Sequence, residues 1–265
     1  MNSEPISSII DEFSEEWRAA GIEDGDVMMV HSSVKWLLIR GKRRNGHLSP
    51  DDIVQSFLNA IGPTGTLLLP AFNFNVRNGV VFDIRNTPSD MGIITESFRN
   101  RDGVIRTKHP FLSFVVGGPK ASIFAECDDY TGIGANSPFA LLHQLNGKVG
   151  VLDLSDNLCL SMYHYVENIL NVNYRFVLDI EVDYVDWDGS KVRRSFGYYA
   201  RDMEKGIITA VDPAGEELWA RGLYSGERPG CGYGFRTIRA ADFYDTTANI
   251  INEGRAEGML YTIQK

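Results

Sequence analysis

A histidine stands directly before a proline and an apolar run near the middle of the chain, at His109 and Pro110. The residue before a proline is pushed out of helical geometry, so we expect His109 to be extended at the entrance to a strand. The positive charges of Arg106 and Lys108 favour neutral imidazole, the form that serves as a general base. The alternative interpretation is a buried histidine with a packing role.

A second histidine precedes a glutamate by three residues, at His164 and Glu167 in the segment HYVEN. On a helix these two side chains share a face. Such a pair is half of a metal site, but the other half is missing, so no metal is expected. The remaining histidines show no matching motif: His31, His47, His109 and His143. Glu167 can instead orient a distant histidine, as the acid of a catalytic triad does; a solvated helix pair is the alternative.

Two further segments are suited to binding an anion. HSSVK, residues 31–35, directly follows a predicted strand, where hydroxyl groups and backbone N–H groups can hold a phosphate or carboxylate. GIGANSPFALL, residues 132–142, contains Ser137 and Pro138, which can open a helix whose amino end favours an anion. Taken alone, the first segment favours a helix cap over an anion site, and the second indicates only a loop-to-helix junction.

Apolar strands alternate with amphipathic helices through the first two thirds of the chain. The predicted strands are residues 25–33, 65–74, 111–118 and 148–155. The predicted helices of this part are residues 7–22, 49–62, 90–101 and 159–170, and a further helix is predicted near the end of the chain at residues 239–254. This alternation predicts an α/β fold, a three-layer αβα arrangement around a mostly parallel central sheet.

The pattern changes after about residue 172. Residues 174–200 alternate apolar and polar side chains around the turn signal Asp188-Gly189, which predicts an antiparallel hairpin. We find no repeat, linker or low-complexity run, so residues 1–265 are expected to form a single domain with a β-rich excursion at about 173–235.

Composition excludes some classes of function. The 265 residues carry a formal net charge of −9, which argues against a nucleic-acid partner and suits either a cationic partner or simple solubility. Three widely spaced cysteines do not predict a disulfide framework or a zinc knuckle. No apolar run reaches the roughly 18 residues of a membrane span, and the first residues do not resemble a signal peptide. We therefore expect a cytoplasmic protein without a membrane partner.

In this order, the motifs resemble the antibiotic N-acetyltransferase family, best known from aminoglycoside 3-N-acetyltransferases. The resemblance begins at HSSVK and continues through IGPTGTLLLPAF, FDIRNTPSDMGIITESFRNRDGVIRTKHP, GANSPFALL and YHYVEN. Its most specific part is MGIITESFR followed by GVIRTKHP. It covers residues 25–172 well and the remainder loosely.

The resemblance implies direct transfer of acetyl from acetyl-CoA to an amine of an aminoglycoside, without a metal. It implies that His109 is the general base and that Glu167 lies near it. The positions implied to contact the cofactor are His31, Ser32, Ser33, Lys35, Met91, Gly92, Ile93, Ser113 and Ser137. The positions implied to contact the acceptor are Asn73, Tyr163 and His164. Whether the chain forms a homodimer is left open.

One departure from the family concerns the segment WLLIRGKRRNGH, which is longer and more basic than the short glycine-rich link of many relatives. It contains Arg40, Lys42, Arg43 and Arg44. These charges suit the ribose 3′-phosphate of CoA, an anionic acceptor such as a nucleotide-linked amino sugar, or a solvated surface loop. An N-acetyltransferase for an amino sugar of surface polysaccharide biosynthesis is therefore the alternative within the same chemistry. A non-catalytic CoA- or amine-binding protein is the alternative from another class.

Overall fold

The computed structural model describes residues 6–43, 48–159, 161–231 and 233–264, without the side chain of Arg43. Within these ranges the helices are α1 (Ile6–Ala19), α2 (Lys35–Arg43), α3 (Pro50–Ile61), α4 (Ile93–Arg99), α5 (Ala121–Ala125), α6 (Pro138–Gln144), α7 (Asp156–Cys159), α8 (Met162–Ile169), α9 (Asp212–Ala220), α10 (Ala240–Asn252) and α11 (Ala256–Met259). The strands are β1 (Val27–Ser32), β2 (Thr66–Pro70), β3 (Phe82–Asp83), β4 (Ile105–Arg106), β5 (Phe114–Gly117), β6 (Lys148–Leu152), β7 (Arg175–Val185), β8 (Lys191–Arg201), β9 (Ile207–Thr209), β10 (Ser225–Gly226), β11 (Phe235–Arg239) and β12 (Tyr261–Ile263). Short 3₁₀ helices cover Asn75–Asn78 and Pro229–Cys231.

The main sheet has the strand order β10-β11-β6-β1-β2-β5-β4 within the described ranges. Its central strands β6, β1 and β2 are parallel, and the strands on either side of them pair antiparallel. The α/β prediction with parallel central strands is thus confirmed. Because β5 runs antiparallel to its neighbour β2, the amino end of β5 lies at the same edge of the sheet as the carboxyl ends of β1, β2 and β6. This edge is where parallel α/β sheets place their sites.

Helices cover both faces of the sheet, which confirms the predicted three layers. On one face α1, α3 and α4 bury a core that includes Phe13, Trp17 and Phe57. On the other face α6, α8 and α10 bury a core that includes Phe139 and Phe243. The continuous apolar runs of β1 and β2 follow from this, since each strand is covered on both sides.

The predicted antiparallel hairpin is also confirmed. Strands β7 and β8 pair over their whole length, from Arg175 opposite Arg201 to Val185 opposite Lys191. The turn needs a positive φ at Gly189, which is 86°. Strand β3 extends this small sheet. The prediction that residues 1–265 form a single domain stays a prediction.

Local sequence accounts for where the helices begin. Ser49 caps α3 in a reciprocal capping box with Asp52, and Pro50 opens the helix. The basic segment, for which a solvated surface loop was one of the alternatives, begins as helix α2. It lies against α1, where Arg40 pairs with Glu16. Its continuation through Arg44 and residues 45–47, including His47, lies outside the described residues. No helix in the described ranges has both the length and the apolar content to cross a membrane.

Candidate active site

Two adjoining cavities open at the carboxyl edge of the central strands. The large cavity, about 930 Å³, lies beneath the β7–β8 hairpin and is lined by residues that include His109, His164 and Tyr198. The narrow cavity, about 260 Å³, lies over the ends of β1 and β2 and is lined by residues that include His31 and Ser32. The residues that line both cavities are Phe74, Ser161, His164 and Thr209. His164 therefore lies where the two cavities meet.

His164 has the hydrogen bonding expected of a general base. It lies on α8, and its Nδ1 is 2.8 Å from Oε2 of Glu167, one helical turn later. A carboxylate accepts only, so Nδ1 carries the proton and Nε2 keeps its lone pair. Nε2 makes no hydrogen bond with any described residue. Burial and the charge of Arg175 lower the pKa of His164 below its usual 6.5, against the effect of Glu167, so the neutral form dominates at pH 7.

Glu167 is fully buried and held as a carboxylate from two sides. Besides His164, it faces Arg175, whose Nε is 2.6 Å from Oε2 of the glutamate. Arg175 is fixed in turn by a hydrogen bond from Nη2 to Oγ1 of Thr209, 2.9 Å long. Burial raises the pKa of Glu167, but His164 and Arg175 outweigh that effect and hold the pKa below its usual value. The site thus contains an Arg–Glu–His chain of contacts that ends in the cavity.

His109 has a different environment from the one that we predicted. Its Nδ1 accepts the backbone N–H of Leu112 and its Nε2 donates to the carbonyl of Tyr130, both at 3.2 Å. In this tautomer neither nitrogen retains a lone pair for a substrate proton. Burial lowers the pKa of His109 to about 4. Glu167 bonds to His164, so the expectation that it serves His109 needs correction: the structure pairs it with the histidine on its own helix.

The packing around His109 supports a structural role. Its ring stands edge-to-face against Phe111 and Phe196. Gly132 lies directly against the imidazole, since a Cβ added there would be 2.7 Å from Cγ of His109. Gly132 also has a φ of +72°, which L side chains rarely adopt. The hairpin, the segment before β5 and the GIGAN loop all meet at this ring.

His31, at the end of β1, is buried against the narrow cavity. Burial lowers its pKa to about 4, so it is neutral at pH 7. Its Nε2 is buried without a hydrogen-bond partner among the described residues. The predicted cofactor positions Ser32 and Met91 line the same cavity. The structure thus brings these positions together with His164.

The other predicted cofactor positions are not found in the lining of either cavity. Ser33, Lys35, Gly92 and Ile93 lie along the same edge, and Gly92 and Ile93 mark the start of α4. Ser113 and Ser137 are fully buried. Their hydroxyl groups make internal hydrogen bonds, and a role in cofactor binding stays a prediction for both.

The bonds of these serines are structural. Ser113 donates to the carbonyl of Ala71 and accepts from Nε of Arg106. Arg106, itself buried, also donates to Ala71 and ties the end of β2 to the start of β5. Ser137 caps α6 by accepting the N–H of Ala140. These contacts hold the edge of the sheet that carries the site.

Two of the predicted acceptor positions also have structural roles. Asn73 is buried, donates to the carbonyl of Pro88 and accepts the N–H of Asn75. Tyr163 is fully buried and donates to Asp156. Neither Asn73 nor Tyr163 lines the large cavity, and their contact with the acceptor stays a prediction. His164, the third predicted position, does line it.

Several residues of the large cavity were missed by sequence analysis. Phe176 and Leu178 on β7 and Tyr198 and Ala200 on β8 all line it, in register across the hairpin. The alternation of these residues with polar neighbours was visible in the sequence. The sequence did not indicate which face of the hairpin lies against the cavity. Arg175 was missed because nothing local marks it as the partner of Glu167.

A third cavity, about 840 Å³, lies on the opposite face between α1, α2 and β11. Its lining includes Trp17, Trp36 and Tyr233 and, among the described residues, no histidine. It therefore offers no described imidazole base. Within the described part of the chain, no three His, Cys, Asp or Glu side chains gather as metal ligands.

Comparison with known proteins identifies the family. The family model described as aminoglycoside 3-N-acetyltransferase matches residues 29–228. Aminoglycoside N(3)-acetyltransferase IV from Salmonella sp is 28% identical over 171 residues, 60% of this chain and 62% of that relative. The match thus spans less than two thirds of this relative. Aminoglycoside N(3)-acetyltransferase VII from Streptomyces paromomycinus is 25% identical over 247 residues, 84% of this chain and 82% of that relative.

Solved structures show the same fold. AAC-IIIb, described as a binary complex with CoASH, aligns with a TM-score of 0.76 at 24% identity, over 92% of this chain and 96% of that one. AAC-VIa, described as bound to sisomicin, aligns with a TM-score of 0.74 at 20% identity, over 97% of this chain and 100% of that one. The family model covers three quarters of the length of this chain, and the chain therefore belongs to the aminoglycoside 3-N-acetyltransferase family.

Proposed function

We propose that the protein transfers the acetyl group of acetyl-CoA to an amine of a sugar-like acceptor. The observation that carries this proposal is the His164–Glu167 pair at the junction of two cavities. An amine attacks a thioester only when it is unprotonated, so a neutral imidazole at the point where two substrates meet supplies what the reaction needs. Family membership supports the same chemistry.

In the proposed mechanism, Nε2 of His164 accepts a proton from the acceptor amine as its nitrogen attacks the thioester carbon. The carboxylate of Glu167 holds the imidazole in the required tautomer and stabilises the imidazolium that forms. The carbon–sulfur bond then breaks, and the imidazolium returns the proton to the thiolate of CoA. The products are an amide and free thiol, with no acyl-enzyme intermediate. This assignment replaces His109 with His164 as the base.

The two cavities divide the substrates in this proposal. The narrow cavity takes the acetylated end of CoA, because the predicted cofactor positions His31, Ser32 and Met91 line it. The large cavity takes the acceptor, because its volume lies within the range of small-molecule sites and its walls are aromatic. Binding both substrates against His164 removes much of the entropy cost of the encounter.

The names of the relatives make an aminoglycoside the first candidate acceptor. One neighbour is described as bound to sisomicin, and another, a mutant of AAC(3)-IVa, as in complex with apramycin. An amino sugar or nucleotide-linked amino sugar is the second candidate, which the charges of the large cavity favour. A cytoplasmic location and a homodimer stay predictions.

A thiol-release assay tests the proposal. The protein is mixed with acetyl-CoA and a panel of amines comprising sisomicin, apramycin and free and phosphorylated amino sugars. We expect acceptor-dependent release of CoA thiol together with a product heavier by one acetyl group in mass spectrometry. Binding of CoA or amine without thiol release from any acceptor would instead support a non-catalytic binding protein.

A further inference from the structure

The large cavity contains charged side chains that the proposed mechanism does not use. The described lining of this cavity contains three arginines and two acidic residues, namely Arg77, Arg175, Arg201, Asp202 and Glu204. Arg175 is neutralised by Glu167, with Nε 2.6 Å from Oε2. Asp202 is neutralised by Lys205, with Nζ 2.8 Å from Oδ2. This leaves Arg77 and Arg201 against Glu204, a positive excess in a chain whose formal net charge is −9.

Arg77 is held in place by aromatic contacts. Its guanidinium carbon is 4.3 Å from the ring centroid of Tyr198 and 5.5 Å from that of Phe74. Its Nε also approaches the carbonyl of Phe74 at 3.4 Å. It forms no ion pair with any described carboxylate. A stacked guanidinium keeps its terminal nitrogens available for a planar, bidentate contact with an oxyanion.

Arg201 lies at the end of β8, opposite Arg175 in the hairpin register. It is exposed, and it too makes no ion pair with a described carboxylate. Arg77 and Arg201 thus both line the cavity, together with the aromatic residues Phe176 and Tyr198. The combination of guanidinium groups and aromatic rings suits a ligand that carries both oxyanions and flat or sugar rings.

These charges are the opposite of what a polycation requires. An aminoglycoside carries several ammonium groups and gains from unpaired carboxylates, of which the described lining offers Glu204. We propose, on the basis of the function proposed above, that the natural acceptor is an amino sugar bearing a phosphate or diphosphate, which Arg77 and Arg201 bind. The cavity, about 930 Å³, is large enough for an acceptor of nucleotide-sugar size.

CoA also carries phosphates, so the test must distinguish the two substrates. Initial rates are measured with saturating acetyl-CoA and with the same amino sugar in free, phosphorylated and nucleotide diphosphate-linked forms, and with a polycationic aminoglycoside. The same rates are then measured with acetyl-dephospho-CoA. We expect the anionic forms to have a kcat/KM at least about ten-fold above that of the free sugar, since a charge-assisted hydrogen bond is worth that much or more.

Variants connect the preference to the two arginines. In Arg77→Gln/Arg201→Gln the ratio of kcat/KM for the anionic acceptor to kcat/KM for the free amino sugar should fall to about one through a higher KM for the anionic acceptor, while the KM for acetyl-CoA stays unchanged. Arg193→Gln is the matched control, because it removes an exposed arginine of the same strand outside the cavity. It should keep the preference.

The outcomes separate this inference from the proposed function. Thiol release that favours the polycation, that ignores acceptor charge, or that keeps its anionic preference in the double variant contradicts the inference and leaves acyl transfer intact. A double variant that loses affinity for acetyl-CoA but not for acetyl-dephospho-CoA assigns the arginines to the cofactor and also contradicts it. The absence of thiol release with every acceptor contradicts the proposed function itself.

Discussion

At the scale of single residues, this site shows how environment separates histidines that look alike in sequence. His31, His109 and His164 all have lowered pKa values, and burial is the main cause in each case. A low pKa therefore does not identify the base. His164 is distinguished by its two ring nitrogens: Nδ1 is hydrogen-bonded to the carboxylate of Glu167, and Nε2 has no hydrogen-bond partner among the described residues. In His109 both ring nitrogens are hydrogen-bonded to backbone groups.

Removing the charge of Glu167 and removing the charge of Arg175 should move the pKa of His164 in opposite directions. In Glu167→Gln the loss of the carboxylate lowers the pKa, so the acid limb of kcat/KM moves to lower pH while the plateau falls. In Arg175→Met the loss of the cation raises it, and the limb moves to higher pH. The pH dependence of kcat/KM checks this, with the histidine proton signals of His164 as a second readout.

The control for this pair of variants is thermal stability, since either change leaves a buried charge without its partner. A purely structural role for Glu167 predicts that both variants lose stability and keep the wild-type pH profile. That result, or shifts of the two acid limbs in the same direction, would contradict the assignment.

At the scale of elements, a buried ion pair connects β11 to the helices around the site. Asp156 accepts hydrogen bonds from Tyr163, Tyr224 and Arg236. Arg236→Met leaves this carboxylate buried without its cation, which should lower the free energy of unfolding by about 3–5 kcal/mol. The loss should be smaller at pH 5 than at pH 7.5, because without Arg236 the carboxyl group can be protonated more easily.

Denaturant unfolding at the two pH values measures this loss, and Asp156→Asn/Arg236→Met supplies the control. Removing both charges should restore part of the stability that the single variant loses. A single variant as stable as the wild type, or a double variant less stable than both single variants, would show that the ion pair does not hold β11 in place.

The same elements show what the sequence could predict and what it could not. The strands of the parallel centre have continuous apolar runs, and α3 has its cap residues Ser49 and Pro50, so local pattern was sufficient. Strand β11 was missed because Arg236 interrupts the apolar pattern of the strand. The burial of Arg236 depends on Asp156, which lies 80 residues earlier in the chain. The pairing of His164 with Glu167 was visible as spacing. The cavity beside His164 could not be predicted, because the β7–β8 hairpin that forms one of its walls is distant in the sequence from many of the other lining residues.

At the scale of the whole molecule, the buried histidines predict a loss of stability in mild acid. His31 and His109 have folded-state pKa values of about 4 against 6.5 in the unfolded chain. Between these values the unfolded chain binds more protons, so the stabilisation is complete above pH 6.5 and is lost as pH falls toward 4. We expect roughly 2 kcal/mol per histidine between about pH 7.5 and pH 5.

Urea unfolding across this range measures the slope, and His109→Gln tests its origin. The variant should be less stable at pH 7.5, but between pH 7.5 and pH 5 it should lose roughly 2 kcal/mol less than the wild type. A wild-type stability that stays flat from pH 7.5 to pH 5, or a variant with the full wild-type slope, would contradict the prediction.

The central claim is that His164, and not His109, is the base of acetyl transfer. The most direct measurement compares turnover of His164→Gln and His109→Gln with saturating acetyl-CoA and acceptor, normalised to the folded fraction. We predict that His164→Gln lowers kcat by about 10²–10⁴-fold with little change in CoA affinity, whereas folded His109→Gln stays within about ten-fold of the wild type. Near-normal turnover in His164→Gln together with a large loss in His109→Gln would contradict the account.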